Sequence, residues 1–333
     1  SLSNLNFDLS VFDIFGSFIS GGAVVLLESC DSKNPQAWFE MLITYKITIW
    51  DSVPALLLLL LEYIETVESG AMQPNTLPLR WVLLSGDVLP PILPHKILKL
   101  ASKKCRVLAL GGSTEGSIWS IGNDITNWES SEAVPYGKPL RNQKIFIIDE
   151  NGVPLPPGAI GEIVISGIGL AQGYWKNKPL TEMRFPSLVA LGRVFKTGDY
   201  GYIDSETSFA KILGRLDKQT KIQGHRIDVS EIEQRLREMK SVESVIVTTS
   251  MIDRYAKLVA VLKPALNSSL PSNNEIIEFL KNHLPGSMIP SKYVWINKWP
   301  LTLNGKLDSG AIFEYIQKSI QSNAEINNDL LKN

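Results

Sequence analysis

The sequence holds little cysteine, little histidine and no excess of either charge, and each shortage excludes something. Two cysteines, Cys30 and Cys105, cannot build a disulfide framework or a thiolate metal cluster. His95, His225 and His283 are scattered without ligand spacing, so no metal-ligand cluster is assigned to them. Lys plus Arg (33) and Asp plus Glu (34) nearly cancel, leaving no electrostatic footprint for nucleic acid and no basic run for a membrane surface. Long apolar runs are missing as well. Pro54–Leu61 falls far short of the roughly 20 residues that span a bilayer. Glu62 and Glu65 follow it at once, so it reads as the start of a buried helix. With no secretory signal peptide, the expected compartment is the cytoplasm. The chain lacks an initiator Met and opens in the middle of what reads as a buried segment, which leads us to expect a fragment.

What is present changes style along the chain. Up to residue 135, short apolar runs alternate with helical periodicity. Ala23–Leu27, Ile47–Asp51, Trp81–Ser85 and Val107–Leu110 are expected as strands, and Pro35–Tyr45 as an amphipathic helix. Continuous apolar strands between helices signal a parallel sheet covered on both faces. From 136 to 213 the chain is rich in Gly, Pro and β-branched residues. Asn151-Gly152 and Pro156-Pro157-Gly158 are turn signals, so a small β-barrel or meander is expected. From 214 to 315 the pattern is a compact α+β unit. Ser230 with Glu233 three residues on suggests a capping box opening a helix over Glu231–Met239. Strands are expected at Val242–Val247 and Lys257–Lys263, and a helix at Asn274–Asn282. Residues 316–333 are polar and Asn-rich, as in a frayed linker.

Four segments carry chemistry. In "LALGGSTEGSIWS", two glycines let the backbone turn tightly after a strand, Ser113 and Thr114 offer hydroxyls, and Glu115 offers a hard oxygen ligand suited to Mg²⁺. In "VFKTGDYGYID", Asp199 sits at a turn where a carboxylate can accept hydrogen bonds from a sugar's vicinal hydroxyls. In "KILGRLDKQTKIQGHRIDVSEIE", Gly214 and Gly224 bracket Arg215, Asp217, Lys221 and Arg226 where the fold style changes, as in a hinge. In "PLTLNGKLD", Asn304-Gly305 forms a turn that presents Lys306. Taken singly, each segment also reads as a plain turn, a solvated linker or a surface lysine.

Their order and separation resemble the adenylation domains of nonribosomal peptide synthetases, within the superfamily that forms acyl- and aminoacyl-adenylates. The likeness runs from Phe7 to about Asp308. It includes "NFDLSVFDIFG", Tyr136–Asn142, the "GEIVISGIGLAQGY" of Gly161–Tyr174, and "LPGSMIPSKY". The fold it implies is α/β: an incomplete large core, with a parallel-sheet subdomain and a small β-barrel subdomain, then a small mobile C-terminal α+β domain. The implied activity joins an amino acid's carboxylate to the α-phosphate of Mg·ATP, releases pyrophosphate, and passes the acyl group to the pantetheine thiol of a carrier domain.

The resemblance assigns roles residue by residue. Thr114 hydrogen-bonds phosphate, Glu115 ligates Mg²⁺, and Lys306 stabilises the developing charge of adenylation. Gly86 and the backbone of Leu110, Gly111 and Gly112 contact adenine and the α-phosphate. Asp199 grips the ribose with Arg215 assisting, Asp217 is the hinge, and the loop at Gly224 lines the pantetheine tunnel. Asp8 pairs with the substrate ammonium, which argues against a stand-alone acyl-CoA or aryl-acid ligase, the main rival reading beside an inactive scaffold remnant. The pocket is completed by Leu9, Phe12, Asp51, Leu83, Ser85, Leu110, Ile118 and Trp119. This set is close to one read as cysteine and departs from it at Phe12 (for Tyr) and Asp51 (for Asn). Cysteine or another small polar amino acid is expected, with a basic side chain as the competitor. Neighbouring condensation or cyclisation domains are the implied partners. The phosphate-wrapping loop that the family carries upstream is absent from this sequence. Uncovered apolar strand edges and weak activity of the segment alone are therefore expected.

Overall fold

The computed structural model describes residues 2–28, 31, 34–67, 76–129, 134–215, 219–222, 225–252, 255–266, 268–300 and 308–330. It divides into two compact units, Ser1–Asp217 and Lys218–Asn333.

In the first unit a helical run, Leu9–Ile19, precedes helix α1 (Pro35–Thr44), strand β1 (Ile49–Ser52) and helix α2 (Pro54–Val67). Next come β2 (Trp81–Leu84), α3 (Leu93–Leu100), β3 (Arg106–Gly111), β4 (Ile121–Asp124) and β5 (Lys138–Pro139). Helix α1 begins where Asn34 accepts a hydrogen bond from the Ala37 N–H and Pro35 occupies the first turn. Helix α2 buries Leu57, Leu60, Leu61 and Ile64, whose 3–4–7 spacing lays them along one face. Each such side chain, fully buried, contributes about 1.5–3 kcal/mol. They pack with Trp38, Leu42, Val82, Leu84, Ile97 and Val107 into one apolar core. Strands β1, β2 and β3 run parallel, while β4 and β5 add antiparallel to the far side.

Ala23–Leu27, expected as a strand, joins no sheet among the described residues. Its apolar composition suits a strand, but only a neighbour's ladder makes one. Instead it lines a cavity of about 610 Å³ together with Met41, Trp50 and Asp51. Phe15, Phe18, Ile19 and Leu26 are exposed, as is Ile49 on β1.

The chain from 136 onward forms an antiparallel sheet of β6 (Gln143–Ile148), β7 (Gly161–Gly167), β10 (Phe195–Ile203) and β11 (Ala210–Arg215). A short hairpin, β8 (Ser187–Leu188) with β9 (Gly192–Arg193), and helix α4 (Lys178–Arg184) interrupt it. The order β11–β10–β7–β6 leaves the two outer strands unpaired with each other, so among the described residues this is an open sheet and not a closed barrel. Ile145, Ile147, Ile163, Ile165, Phe185 and Phe195 fill one side of it.

The second unit pairs β12 (Gln219–Ile222) with β13 (His225–Asp228), and builds a three-stranded sheet from β14 (Val242–Ile252), β15 (Tyr255–Pro264) and β16 (Lys292–Trp295). Helices α5 (Val229–Arg237), α6 (Asn273–Lys281) and α7 (Ser309–Leu330) complete it. Two expectations are corrected here. The cap of α5 is Asp228, which accepts from the Ser230 N–H. Glu233 is instead buried, accepting from the Val247 N–H at 3.0 Å and pairing with Arg237 at 3.1 Å. The capping box lies at Ser272 and Glu275 on α6. The stretch after Tyr315 is helical through Leu330 and not a frayed linker. Ile312 and Ile316, one helical turn apart, pack on Val259, Val261 and Val294, with Ile320 partly buried beside them.

Candidate active site

The C-terminal ends of parallel strands are where open α/β sheets bind ligands, because the loops there are free of sheet pairing. Asp51 on β1 is in register with Leu83 on β2, and Leu83 with Leu108 on β3. Ser85 and Gly86 follow β2, while Leu110 and Gly111 end β3 and Gly112 follows it. Gly86 adopts φ +86°, a left-handed conformation that suits glycine. Gly111 and Gly112 are required for closeness. A Cβ on Gly111 would lie 1.9 Å from the Tyr136 ring, and one on Gly112 would lie 2.6 Å from the Ile118 carbonyl oxygen.

The next turn brings the sequence-expected residues into contact. Thr114 Oγ1 donates to Asp8 Oδ2 at 2.6 Å, joining positions 106 residues apart. The Phe12 and Trp119 rings lie 4.8 Å apart, centroid to centroid. Ser117 and Ile118 both take positive φ, 65° and 69°, which for a β-branched isoleucine is a strained conformation. The strain is held by several bonds. Ser117 Oγ donates to the Gly169 carbonyl at 2.6 Å, and Gln143 Nε2 donates to the Gly116 carbonyl at 3.1 Å.

Glu115 is buried in this turn. Its carbonyl accepts from the Ala171 N–H at 2.8 Å, and its carboxylate accepts from the Tyr174 hydroxyl at 2.6 Å. Among the described residues there is no group of three or more His, Cys, Asp or Glu side chains able to hold a metal. One carboxylate suits Mg²⁺ nonetheless, since that ion keeps waters and is commonly held by one or two carboxylates plus substrate phosphates.

Asp199 and Arg215 face each other across β10 and β11. Arg215 Nη1 donates to Asp199 Oδ1 at 2.6 Å, and Nη2 to the Thr197 carbonyl at 2.9 Å. Thr197 is itself buried, donating to the Ile163 carbonyl and accepting from the Asp199 N–H. Tyr136 ties this pair to the glycine turn. Burial, and then the Asp199 charge, hold its phenol proton more tightly than usual, while the Gly112 backbone hydrogen-bonds it.

Asp51 is the least settled group. It is buried, and neither oxygen has a hydrogen-bond partner among the described residues. Desolvation, followed by the charges of Asp13 and Asp8, raises it from an ordinary value of 3.8 to about 9. In the protonated form it can donate to Asp13. Ser85 Oγ, Ser113 Oγ and Trp119 Nε1 are likewise buried without a partner among the described residues. Leu9 and Leu83 supply buried apolar wall.

Lys306, Asp217 and Gly224 lie outside the described residues. Sequence reasoning gave no role to Asp13, Tyr136, Tyr174, Thr197 or Gln143. Tyr136 and Tyr174 did fall inside quoted motifs, but nothing in a linear motif says which group a phenol reaches.

An AMP-binding enzyme family matches residues 1–175. Bacitracin synthase 1 of Bacillus licheniformis is 39% identical over 95% of this chain and 6% of its own length. The anguibactin system regulator of Vibrio anguillarum is 33% identical over 99% of this chain and 31% of its own. Pyochelin synthetase PchE of Pseudomonas aeruginosa is 37% identical over 80% and 18%. Among solved structures, the Vibrio cholerae adenylation domain AlmE in complex with glycyl-adenosine-5'-phosphate superposes with TM-score 0.80 at 26% identity, covering 95% of this chain and 58% of that one. Holo-PA1221, an NRPS protein containing adenylation and PCP domains, gives TM-score 0.78 at 26% identity, covering 94% and 52%. The chain thus spans a small part of these curated relatives and about half of these solved chains. No helix among the described residues is long and apolar enough to cross a membrane.

Proposed function

The chain belongs to the AMP-binding enzyme family, and from that premise we propose that it activates an amino acid as its adenylate and hands the aminoacyl group to a carrier thiol. The observation that carries the proposal is the Thr114–Asp8 hydrogen bond. An amino acid held by its ammonium on Asp8 has its carboxylate a few ångströms away, beside a hydroxyl that serves a phosphate. A carboxylate oxygen then attacks the α-phosphorus of ATP, and the bond to the leaving pyrophosphate breaks. Asp199, held by Arg215, takes the ribose hydroxyls. Gly86 and the Leu110–Gly112 backbone take the adenine and α-phosphate. Glu115 would hold Mg²⁺, which would supply charge screening for the leaving pyrophosphate. Lys306 stabilises the negative charge that develops on the reacting oxygens.

The second half-reaction follows from the same domains. Residues 1–135 and 136–213 form the core, and 214–315 form a mobile unit hinged at Asp217. Its turn removes Lys306 and brings the Gly224 loop to line a pantetheine tunnel. The thiol sulfur attacks the acyl carbon, AMP leaves, and the thiol proton passes to solvent. A PCP-type carrier domain is the partner, with condensation or cyclisation domains as its neighbours.

The substrate is an α-amino acid with a small polar side chain, cysteine first. Support comes from the buried donors of Ser85 and Trp119 and from an Asp51 that holds its proton to about 9. The set presents neutral hydrogen-bonding groups. Fatty and aryl acids are disfavoured because they leave Asp8 without a cation. Amino-acid-dependent pyrophosphate exchange by the full-length polypeptide tests this across a substrate panel. Exchange with cysteine is expected. Strong exchange with ornithine or lysine and none with cysteine would establish the basic-side-chain reading, in which the Asp13 and Asp51 carboxyls pair with a cation.

A further inference from the structure

We propose that Tyr174 is a positioning residue for the Mg²⁺-binding carboxylate of Glu115, fixing its direction through the 2.6 Å hydroxyl-to-carboxylate hydrogen bond. The proposal rests on the reading of Glu115 as the metal carboxylate, and adds to it a residue that the motifs left without a task.

The segment 169–174 clamps the turn that carries Glu115 at several points. The Gly169 carbonyl accepts from Ser117, the Ala171 N–H donates to the Glu115 carbonyl, and the Tyr174 hydroxyl donates to the Glu115 side chain. The first two contacts fix the backbone. The third reaches the carboxylate itself and restrains its side-chain torsions.

Tyr174 is in turn held rigidly enough to serve as a reference point. Its N–H donates to Thr181 Oγ1 at 2.9 Å, and that hydroxyl also bonds back to Asn177 at 2.9 Å. Its ring stacks edge-on against Phe185 at 5.6 Å, and Phe185 packs on Phe195 in the core of the antiparallel sheet. Gly173, at φ +150°, sits where a side chain would strike Thr181 at 2.3 Å, so the chain must be bare there for Tyr174 to reach inward. The carboxylate is therefore referenced to the core of one sheet while its backbone belongs to the β3–β4 turn of another. Glu115 is also buried, which makes a charged hydrogen bond to it stronger than one in water. Partners one bond removed from a metal ligand commonly change affinity by about 10- to 100-fold when deleted.

The test uses Tyr174→Phe, which removes the hydroxyl and keeps the ring against Phe185. Mn²⁺ binding to the full-length polypeptide, saturated with a non-hydrolysable ATP analogue, is followed by electron paramagnetic resonance. No turnover enters the readout. Tyr174→Phe is expected to weaken Mn²⁺ by about tenfold. The double variant E115Q/Y174F is expected to bind Mn²⁺ no more weakly than E115Q alone, because the hydroxyl acts only through the carboxylate. A Tyr174→Phe variant that binds Mn²⁺ like the parent, while E115Q binds it more weakly, would overturn the proposal and spare the metal reading. An E115Q variant with undiminished Mn²⁺ affinity would overturn both. A lowered melting temperature with parental Mn²⁺ affinity would show that the hydroxyl only supports the fold, and would also overturn the proposal.

Discussion

Replacing Asp51 by Asn should change how stability depends on pH. The unfolded side chain releases its proton near 3.8, whereas the buried one keeps it until about 9. Between those values folding takes up a proton, so stability is greatest in acid and is lost as pH rises. The slope is about 1.4 kcal/mol per pH unit, and at neutral pH the accumulated cost is about 4 kcal/mol. Asn is nearly the same shape and cannot ionise, so D51N removes the slope. It still leaves a buried amide lacking full hydrogen bonding, a cost of about 1–3 kcal/mol that does not vary with pH. The diagnostic is therefore the gradient and not the offset. Urea unfolding of both proteins from about pH 5 to about pH 8 should show D51N gaining on the parent by about 1.4 kcal/mol for each unit. Asp13 and Asp8, the charged neighbours that raise Asp51, are present in both proteins. Parallel stability curves would refute the reasoning, since they would mean that Asp51 is ionised and paired throughout.

Two further outcomes follow from other parts of the chain. Asp199→Ala should raise the KM for ATP by about 10- to 100-fold, the worth of a hydrogen bond to a charged group, and leave the KM for the amino acid near its parental value in steady-state pyrophosphate exchange. An equal rise in both constants would mean that the Asp199–Arg215 pair holds the sheet and not the ribose. In the second unit, Ile276→Ala truncates a fully buried side chain on α6 among Ile232, Leu236 and Leu280. It should cost about 2–5 kcal/mol by chemical denaturation.

The residue order alone carried the element types, the change of style near residue 136 and the family resemblance, because these depend on local periodicity, turn chemistry and motif spacing. Helices α1, α2 and α6 and strands β1, β2 and β3 were legible this way, each being set by its own apolar pattern and caps. Tertiary structure decided what pattern could not. Ala23–Leu27 has a strand's composition but no ladder among the described residues, and Glu233 left its expected cap to satisfy a buried strand N–H. Among the described residues the sheet after residue 136 stayed open because closure depends on which edges meet. The helix through Leu330 formed because Ile312 and Ile316 found a surface to cover. At the site, the sequence supplied Asp8, Thr114, Glu115, Asp51 and Asp199 as candidates. Only packing brought Thr114 onto Asp8 across 106 positions, set Tyr174 against Glu115, and left Asp51 without a donor among the described residues. Hydrogen bonds between distant segments, and the desolvation that shifts a carboxyl, depend on three-dimensional neighbours and leave no trace in residue order.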